Sequence, residues 1–362
     1  MKHKKLMIVG PTEIEEDILR LGAEPQVYMR TPEFSARLEK IYRNLQTVFC
    51  TQNPVVFFAC SGTGTLDAAV SNFTSRGEEV IVINGGSFGH RWVDICEHYH
   101  LKVHEIKVEF GKSVTPEAVE AAVKAHPQAV ALFSTLDETS SGALTDVQAI
   151  GNILKNYPDM LFVVDAVSAL LVEPLEMDAW GVDVATSASQ KAIAIPPGMG
   201  FMAVSPKAAA RAERADNRGA FFDILEHIKD WKRHQTPFTP AVSLIFQLER
   251  RLEKVMEEGI DNYRARYRRL TEEVRTGLRE LGFSTFAEHP ANCVTAVWTE
   301  EYDATEIVRI LSQQYDIEIA PSGGDIRTHI FRIGNFGAVD SADIAELMQA
   351  LRETLNKLKA HD

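Results

Sequence analysis

The chain reads as an α/β protein, with a large domain built on a mostly parallel central sheet flanked by helices and a small α+β domain at the C-terminus. Three observations predict this. Short apolar runs bounded by turn residues recur through the first 204 positions, most of them separated by amphipathic stretches of helical length. A long charged helical region follows, and after it short strand-like runs resume in a different arrangement.

In order, the strand-like runs are 55–59, 79–83, 129–133, 161–165, 183–187 and 200–204. The spacing of apolar residues predicts helices over 65–73, 92–100, 116–125 and 147–157. Alternation of this kind gives a sheet buried on both faces, in which ligands sit at the carboxyl ends of the strands. That rule separates two aspartates. Asp165 closes its strand, whereas Asp183 opens the next one and belongs to the opposite edge. Residues 241–281 have apolar positions at helical spacing with Arg and Glu between them, a solvated connector. Beyond it, runs at 283–286, 294–298, 317–320 and 329–334 read as strands, with helices at about 304–314 and 340–359. The expected organisation is an N-terminal segment over 1–20, a large domain over 21–240, the connecting helices over 241–281 and the small domain over 282–362.

Composition narrows the function classes. Of 362 residues, 45% are hydrophobic and 25% charged, which is enough apolar mass for a large core. The formal charge of −13 argues against general affinity for nucleic acid or an anionic membrane surface. Cys50, Cys60, Cys96 and Cys293 are widely spaced without a CxxC pair, and the apolar run behind the basic start is too short for a secretory leader. Reduced thiols in the cytoplasm are the expectation. His90, His98, His100 and His104 cluster in sequence but keep no single helical face, so they read as solvated or capping residues.

The chemistry concentrates in three segments. Asp165 ends an apolar strand and Lys191 lies in a small-residue turn one strand later. A pyridoxal phosphate enzyme needs such a pair: the carboxylate keeps the pyridine nitrogen protonated, and the lysine amine forms a Schiff base with the aldehyde. Residues 60–68, with Gly62, Thr63, Gly64 and Thr65 between a strand and a helix, make a cradle for a phosphate. The GxGxxG pattern of a dinucleotide loop is incomplete there, so a monophosphate fits better. Residues 84–91 follow the next strand, and Phe88 is placed to lie over a flat ring.

Together these motifs resemble the class V aminotransferases of the fold type I pyridoxal phosphate family, in particular the alanine–glyoxylate and serine–glyoxylate branch. The resemblance runs from 9–14 and 30–34 through 61–65, 138–142 and 164–168 to the lysine segment at 189–200 and the arginine segment at 331–337. It implies that Lys191 carries the cofactor as an internal aldimine and shuttles the proton, that Asp165 pairs with the ring nitrogen and that Val167 packs under the ring. Thr139 would reach the ring hydroxyl, and Thr63, Gly64, Thr65 and Gln190 would hold the phosphate. It implies a homodimer in which Gln235 and Thr236 complete the neighbouring subunit's phosphate site, and it gives Arg332 the substrate carboxylate, which a guanidinium binds through two parallel hydrogen bonds. The expected reaction moves an amino group from alanine or serine to glyoxylate or pyruvate. Leu136, Met29, Phe88 and Thr65 depart from the branch's common residues and bear on donor and acceptor. Alternatives on the same scaffold are aminophosphonate transamination, β-elimination, desulfuration through Cys293, or a cofactor-binding protein without catalysis. Gln190, where desulfurases carry a histidine, turns the lysine segment toward transamination.

Overall fold

The computed structural model describes residues 3–360. Its strands in chain order are β1 (Lys5–Met7), β2 (Val55–Phe58), β3 (Glu79–Asn84), β4 (Lys102–Lys107), β5 (Ala131–Thr135), β6 (Asp137–Glu138), β7 (Ala143–Leu144), β8 (Leu161–Asp165), β9 (Val184–Ala188), β10 (Gly200–Val204), β11 (Ser284–Thr285), β12 (Val294–Trp298), β13 (Ile317–Pro321) and β14 (Ile330–Gly334). Seven of them form the central sheet in the order β2-β10-β9-β8-β5-β3-β4. Only β10 runs against its neighbours, pairing antiparallel with β2 and β9. A five-stranded sheet, β1-β13-β14-β12-β11, gathers the C-terminal strands and takes β1 in parallel beside β13.

The strand sequences explain the layers. Side chains alternate across a strand, and in β8 Phe162 and Val164 enter one apolar cluster while Leu161 and Val163 enter the cluster on the other face. Both faces are therefore dry, and each of these side chains contributes about 1.5–3 kcal/mol by leaving water. Asp165, at the end of the same strand, is carried into the interior by its neighbours. Asp183 sits at the other edge, where its carboxylate accepts from the Phe162 N–H at 2.9 Å and the Ser205 hydroxyl at 2.9 Å. It fastens the beginnings of β8 and β9, as its place in the sequence requires.

Two helices begin earlier than the apolar spacing predicts. One runs Gly62–Phe73 rather than from Thr65, capped by the Ser61 hydroxyl, which accepts from the Gly64 N–H. The other runs Ser87–His98 rather than from Trp92. In both cases glycines lower the local helix propensity, yet the chain leaves a strand there and turns directly into the crossover. The predicted helix over 147–157 ends at Leu154, and the connector divides at Gly259 into helices Val242–Glu258 and Ile260–Glu280. The helix Pro32–Phe49 and the strands β1 and β4 have no counterpart in the sequence prediction. β4 is a half-exposed edge strand rich in charged residues, and the three residues of β1 acquire a partner only more than 300 positions later, at Ile317–Ile319.

Candidate active site

The carboxyl ends of β8 and β9, the start of the helix Gly62–Phe73 and the start of the helix Ser87–His98 enclose a cavity of about 180 Å³. Its walls include Ser61, Gly62, Thr63, Phe88, Arg91 and Thr139, and on the other side Asp165, Val167, Ser168, Gln190 and Lys191. A larger cleft of about 670 Å³, lined by Val114, Leu144, Val147 and Trp180 among others, takes in Leu136 but none of the residues expected to hold cofactor or substrate carboxylate.

Asp165 is 3% exposed, and one of its oxygens accepts from the Val167 N–H at 2.8 Å. Burial raises its pKa to about 6. A carboxylate held dry at a strand end calls for a cationic hydrogen-bond donor, which a protonated pyridine nitrogen supplies. Burial lowers the Lys191 ammonium to about 8, against the opposing pull of Asp137 and Asp165. A near-neutral amine is the form that condenses with an aldehyde and accepts a proton. Lys191 Nζ donates to the Val9 carbonyl, and the chain at Gly10 passes so close that a Cβ there would lie 2.8 Å from Lys191 Cδ and Nζ. Gly10 also has φ +107°, so both space and backbone require glycine.

The opposite end of the cavity suits a phosphate. Ser61, Gly62 and Thr63 present the first turn of a helix, whose N–H groups have no partners within the helix. Arg91 Nη1 donates to the Thr63 hydroxyl at 3.1 Å, and the guanidinium lies 5.0 Å over the Phe88 ring. Gln190 Oε1 is buried without a partner. A guanidinium, a helix start and the Asp165–Lys191 pair around one small cavity together fit pyridoxal phosphate. Arg91 was not singled out in the sequence. The signal was its spacing: three positions after Phe88 it shares that residue's helical face.

Three more residues emerge from the folded chain. Glu138, only 5% exposed, accepts from the Phe88 N–H at 3.2 Å, the Gly89 N–H at 2.9 Å and the Ser140 N–H at 3.2 Å. It caps the helix that carries Phe88, and a Cβ on Gly86 would strike its side chain at 2.8 Å. Thr139 and Ser168 share a hydrogen bond of 2.7 Å on the cavity wall. Behind them lies Asp137, fully buried.

Some residues named from the sequence stand off the cavity. Gly64 and Thr65 follow Thr63 on the helix; the Thr65 side chain is buried and its hydroxyl donates to the Gly62 carbonyl at 2.7 Å. Arg332, on β14, donates to the Thr139 carbonyl at 3.0 Å and the Pro321 carbonyl at 2.7 Å, and its Nε is buried without a partner. It therefore reaches the wall of the site from the second sheet. Gln235 and Thr236 lie on a separate loop, held by Arg30, which donates to Gln235 Oε1 at 2.9 Å and the Thr236 carbonyl at 2.6 Å. Beside them Phe221 and Phe238, 46% and 45% exposed, stack at 5.4 Å. Cys293 is fully buried, with its thiol pKa pushed well up by burial, and this is not the mobile thiolate that desulfuration requires. His104 lies on the edge strand β4, with Nε2 3.1 Å from Glu79 and its ring 3.5 Å from that of His126, 13° from parallel.

Residues 19–331 match the family model described as Aminotransferase class-V. Among curated proteins, the chain is 35% identical over 358 residues to a protein of Synechococcus named soluble hydrogenase, small subunit, covering 98% of this chain and 93% of that one. It is 33% identical to the L-aspartate–glyoxylate aminotransferase of Paracoccus denitrificans, covering 93% and 87%. Among solved structures, the alanine–glyoxylate aminotransferase of a Nostoc species superimposes with a TM-score of 0.94 at 26% identity, covering 98% and 96%.

Proposed function

The chain belongs to the class V aminotransferases, and from that premise we propose that it moves an amino group from a small amino acid, alanine or serine, to a small 2-keto acid, glyoxylate or pyruvate, with pyridoxal phosphate held by Lys191. The observation that carries this reading is the meeting of Asp165 and Lys191, both drawn toward neutrality by burial, in one cavity of about 180 Å³. When bound, the cofactor supplies an electron sink for the substrate carbon. The protein's own residues supply the rest. Asp165 would hold the ring nitrogen in its cationic form, and the Lys191 amine would be placed to take and return a proton at the reacting carbon. Phe88 and Val167 confine the ring, one on each side. Ser61, Gly62 and Thr63 offer the phosphate a helix start, with Gly64 and Thr65 building the turn behind them, and Gln190 an amide, while Arg91 adds a positive charge. Arg332 takes the substrate carboxylate; its unpaired Nε supports that role, because a buried donor without an acceptor is costly until one arrives.

The active unit in this reading is a homodimer in the cytoplasm, with the Gln235–Thr236 loop completing the phosphate end of the neighbouring subunit. The exposed Phe221–Phe238 stack supports it, since paired surface aromatics favour a covered face. Absorbance spectroscopy tests the reaction. The visible band of the bound cofactor disappears when alanine or serine is added and returns with glyoxylate or pyruvate. A band that ignores every amino donor would instead favour a binding protein, and a band that survives Lys191→Ala would remove the lysine from its role.

A further inference from the structure

Asp137 opens β6, with one residue between it and the end of β5, and is fully buried. Among the described residues no cationic side chain hydrogen-bonds to it. Its Oδ2 lies 3.3 Å from the Thr139 hydroxyl, which in turn lies 2.7 Å from the Ser168 hydroxyl. Its Oδ1 is buried and has no partner. The charged and titratable groups that face it are Glu138 on its own strand, Glu173, Lys191, Arg332 on β14 and the Cys293 thiol. Thr139 and Ser168 line the cofactor cavity, and Asp137 stands one hydrogen bond behind them.

A threonine hydroxyl has one proton to give. If Asp137 is a carboxylate, its charge draws the Thr139 proton, in preference to the neutral Asp137 carbonyl oxygen at 3.4 Å and the Ser168 hydroxyl, and Thr139 can then only accept from anything in the cavity. If Asp137 is a carboxylic acid, its own proton goes to Thr139, and the threonine proton is free to point into the site. The state of Asp137 thus sets the direction of a two-hydroxyl chain. The separation of 3.3 Å is long for such a bond, as contacts at catalytic sites are before the ligand tightens them.

We propose that Asp137 is a positioning residue that acts through Thr139: as a carboxylic acid it turns the Thr139 hydroxyl into a donor to the ring oxygen of pyridoxal phosphate, and as a carboxylate it withdraws that donor. The inference rests on the cofactor reading above and adds to it a residue that touches neither cofactor nor substrate. Burial, reinforced by Glu138 and Glu173 and only partly opposed by Ser168 and Lys191, raises its pKa to about 7, so the chain changes direction within the working range of the protein. A donor on the ring oxygen competes with the imine for the same electrons and makes the imine nitrogen less basic. The pH at which the bound cofactor's band changes therefore depends on Asp137.

The test compares the wild type with D137N and D137A, each loaded with pyridoxal phosphate and titrated by absorbance, with K191A as the blank. Asn at this position can donate to Thr139 at every pH and Ala offers no acceptor, so in neither variant does a carboxylate draw the Thr139 proton away from the cavity. The wild-type titration is expected to show an inflection near pH 7 that both variants lack. At low pH both variants keep the wild-type spectrum; above the inflection the wild-type band titrates about one pH unit higher than that of either variant, the equivalent of one neutral hydrogen bond. Without cofactor, the infrared difference between wild type and D137N should contain the C=O stretch of a protonated carboxylic acid at pH 6 and lose it at pH 8. If D137A fails to fold, the nearly isosteric D137N and the infrared signal carry the test. A wild type that takes up no pyridoxal phosphate overturns the cofactor reading and this inference with it. Normal uptake with variant titrations that match the wild type, or no acid C=O signal at pH 6, overturns the Asp137 assignment alone.

Discussion

Replacing Glu138 by Gln isolates what one carboxylate contributes to the Phe88 wall. Its two oxygens accept from three backbone N–H groups and the Ser140 hydroxyl, and two of those N–H groups, of Phe88 and Gly89, begin the helix Ser87–His98. A glutamine keeps one acceptor oxygen and sets an NH₂ group against donors, so at least one bond to a charged acceptor is lost and one buried N–H loses its partner. Bonds to charged groups contribute about 1.5–3 kcal/mol each, and an unsatisfied buried group costs about 1–3 kcal/mol. The helix start also loses a negative charge, which removes a further ~0.5 kcal/mol. E138Q is therefore expected to lose about 3–6 kcal/mol of stability, read as a lowered urea midpoint with unchanged slope in the cofactor-free protein. The Phe88 ring and the Arg91 guanidinium above it should loosen together, so pyridoxal phosphate binds more weakly as well. An E138Q protein within about 0.5 kcal/mol of the wild type, with unchanged cofactor affinity, would refute the claim that this carboxylate organises the helix start; 0.5 kcal/mol is the usual spread for substitutions that touch no such feature.

Three further outcomes are expected. Because burial raises Asp165 to about 6, the folded cofactor-free protein holds a proton that the unfolded chain, with a carboxyl near 3.9, has lost. Stability contributed at this position therefore falls as pH rises from about 4 to 6, by up to ~3 kcal/mol, and urea midpoints of D165N should show a flatter decline over that window together with a loss of cofactor binding; an unchanged pH profile would count against burial as the cause. Arg332→Ala removes a bond to a charged substrate group worth roughly 1.5–3 kcal/mol, so the KM for the amino acid should rise about ten- to a hundredfold, and a KM within threefold of the wild type would leave Arg332 as a structural arginine of β14. Phe238→Asp places a charge on the exposed aromatic stack; sedimentation should show a shift from dimer to monomer, and a dimer that persists at micromolar concentration would locate the subunit contact elsewhere.

What could be read from the sequence follows the range over which each signal acts. β8 was legible because its apolar run and terminal Asp165 are contiguous, and the strand-end rule then separated Asp165 from Asp183 without any coordinates. Lys191, Phe88 and the 61–65 segment were legible for the same reason, since each lies within a few residues of a strand's end. The helix starts at Gly62 and Ser87 were not, because what stabilises them is a cap, and for the second that cap is Glu138, some fifty positions away in the chain. Asp137 was hidden by its neighbours. Within the turn 136–142 the sequence offers two adjacent carboxylates, and nothing local says that one faces backbone N–H groups while the other faces a threonine hydroxyl, with Lys191 and Arg332 among its charged neighbours. Alternation along β6 sends them to opposite sides, but which side is which is settled only when β14 and the lysine turn close over the strand. A buried carboxylate takes its role from its partners, and in this site the partners come from the most distant parts of the chain.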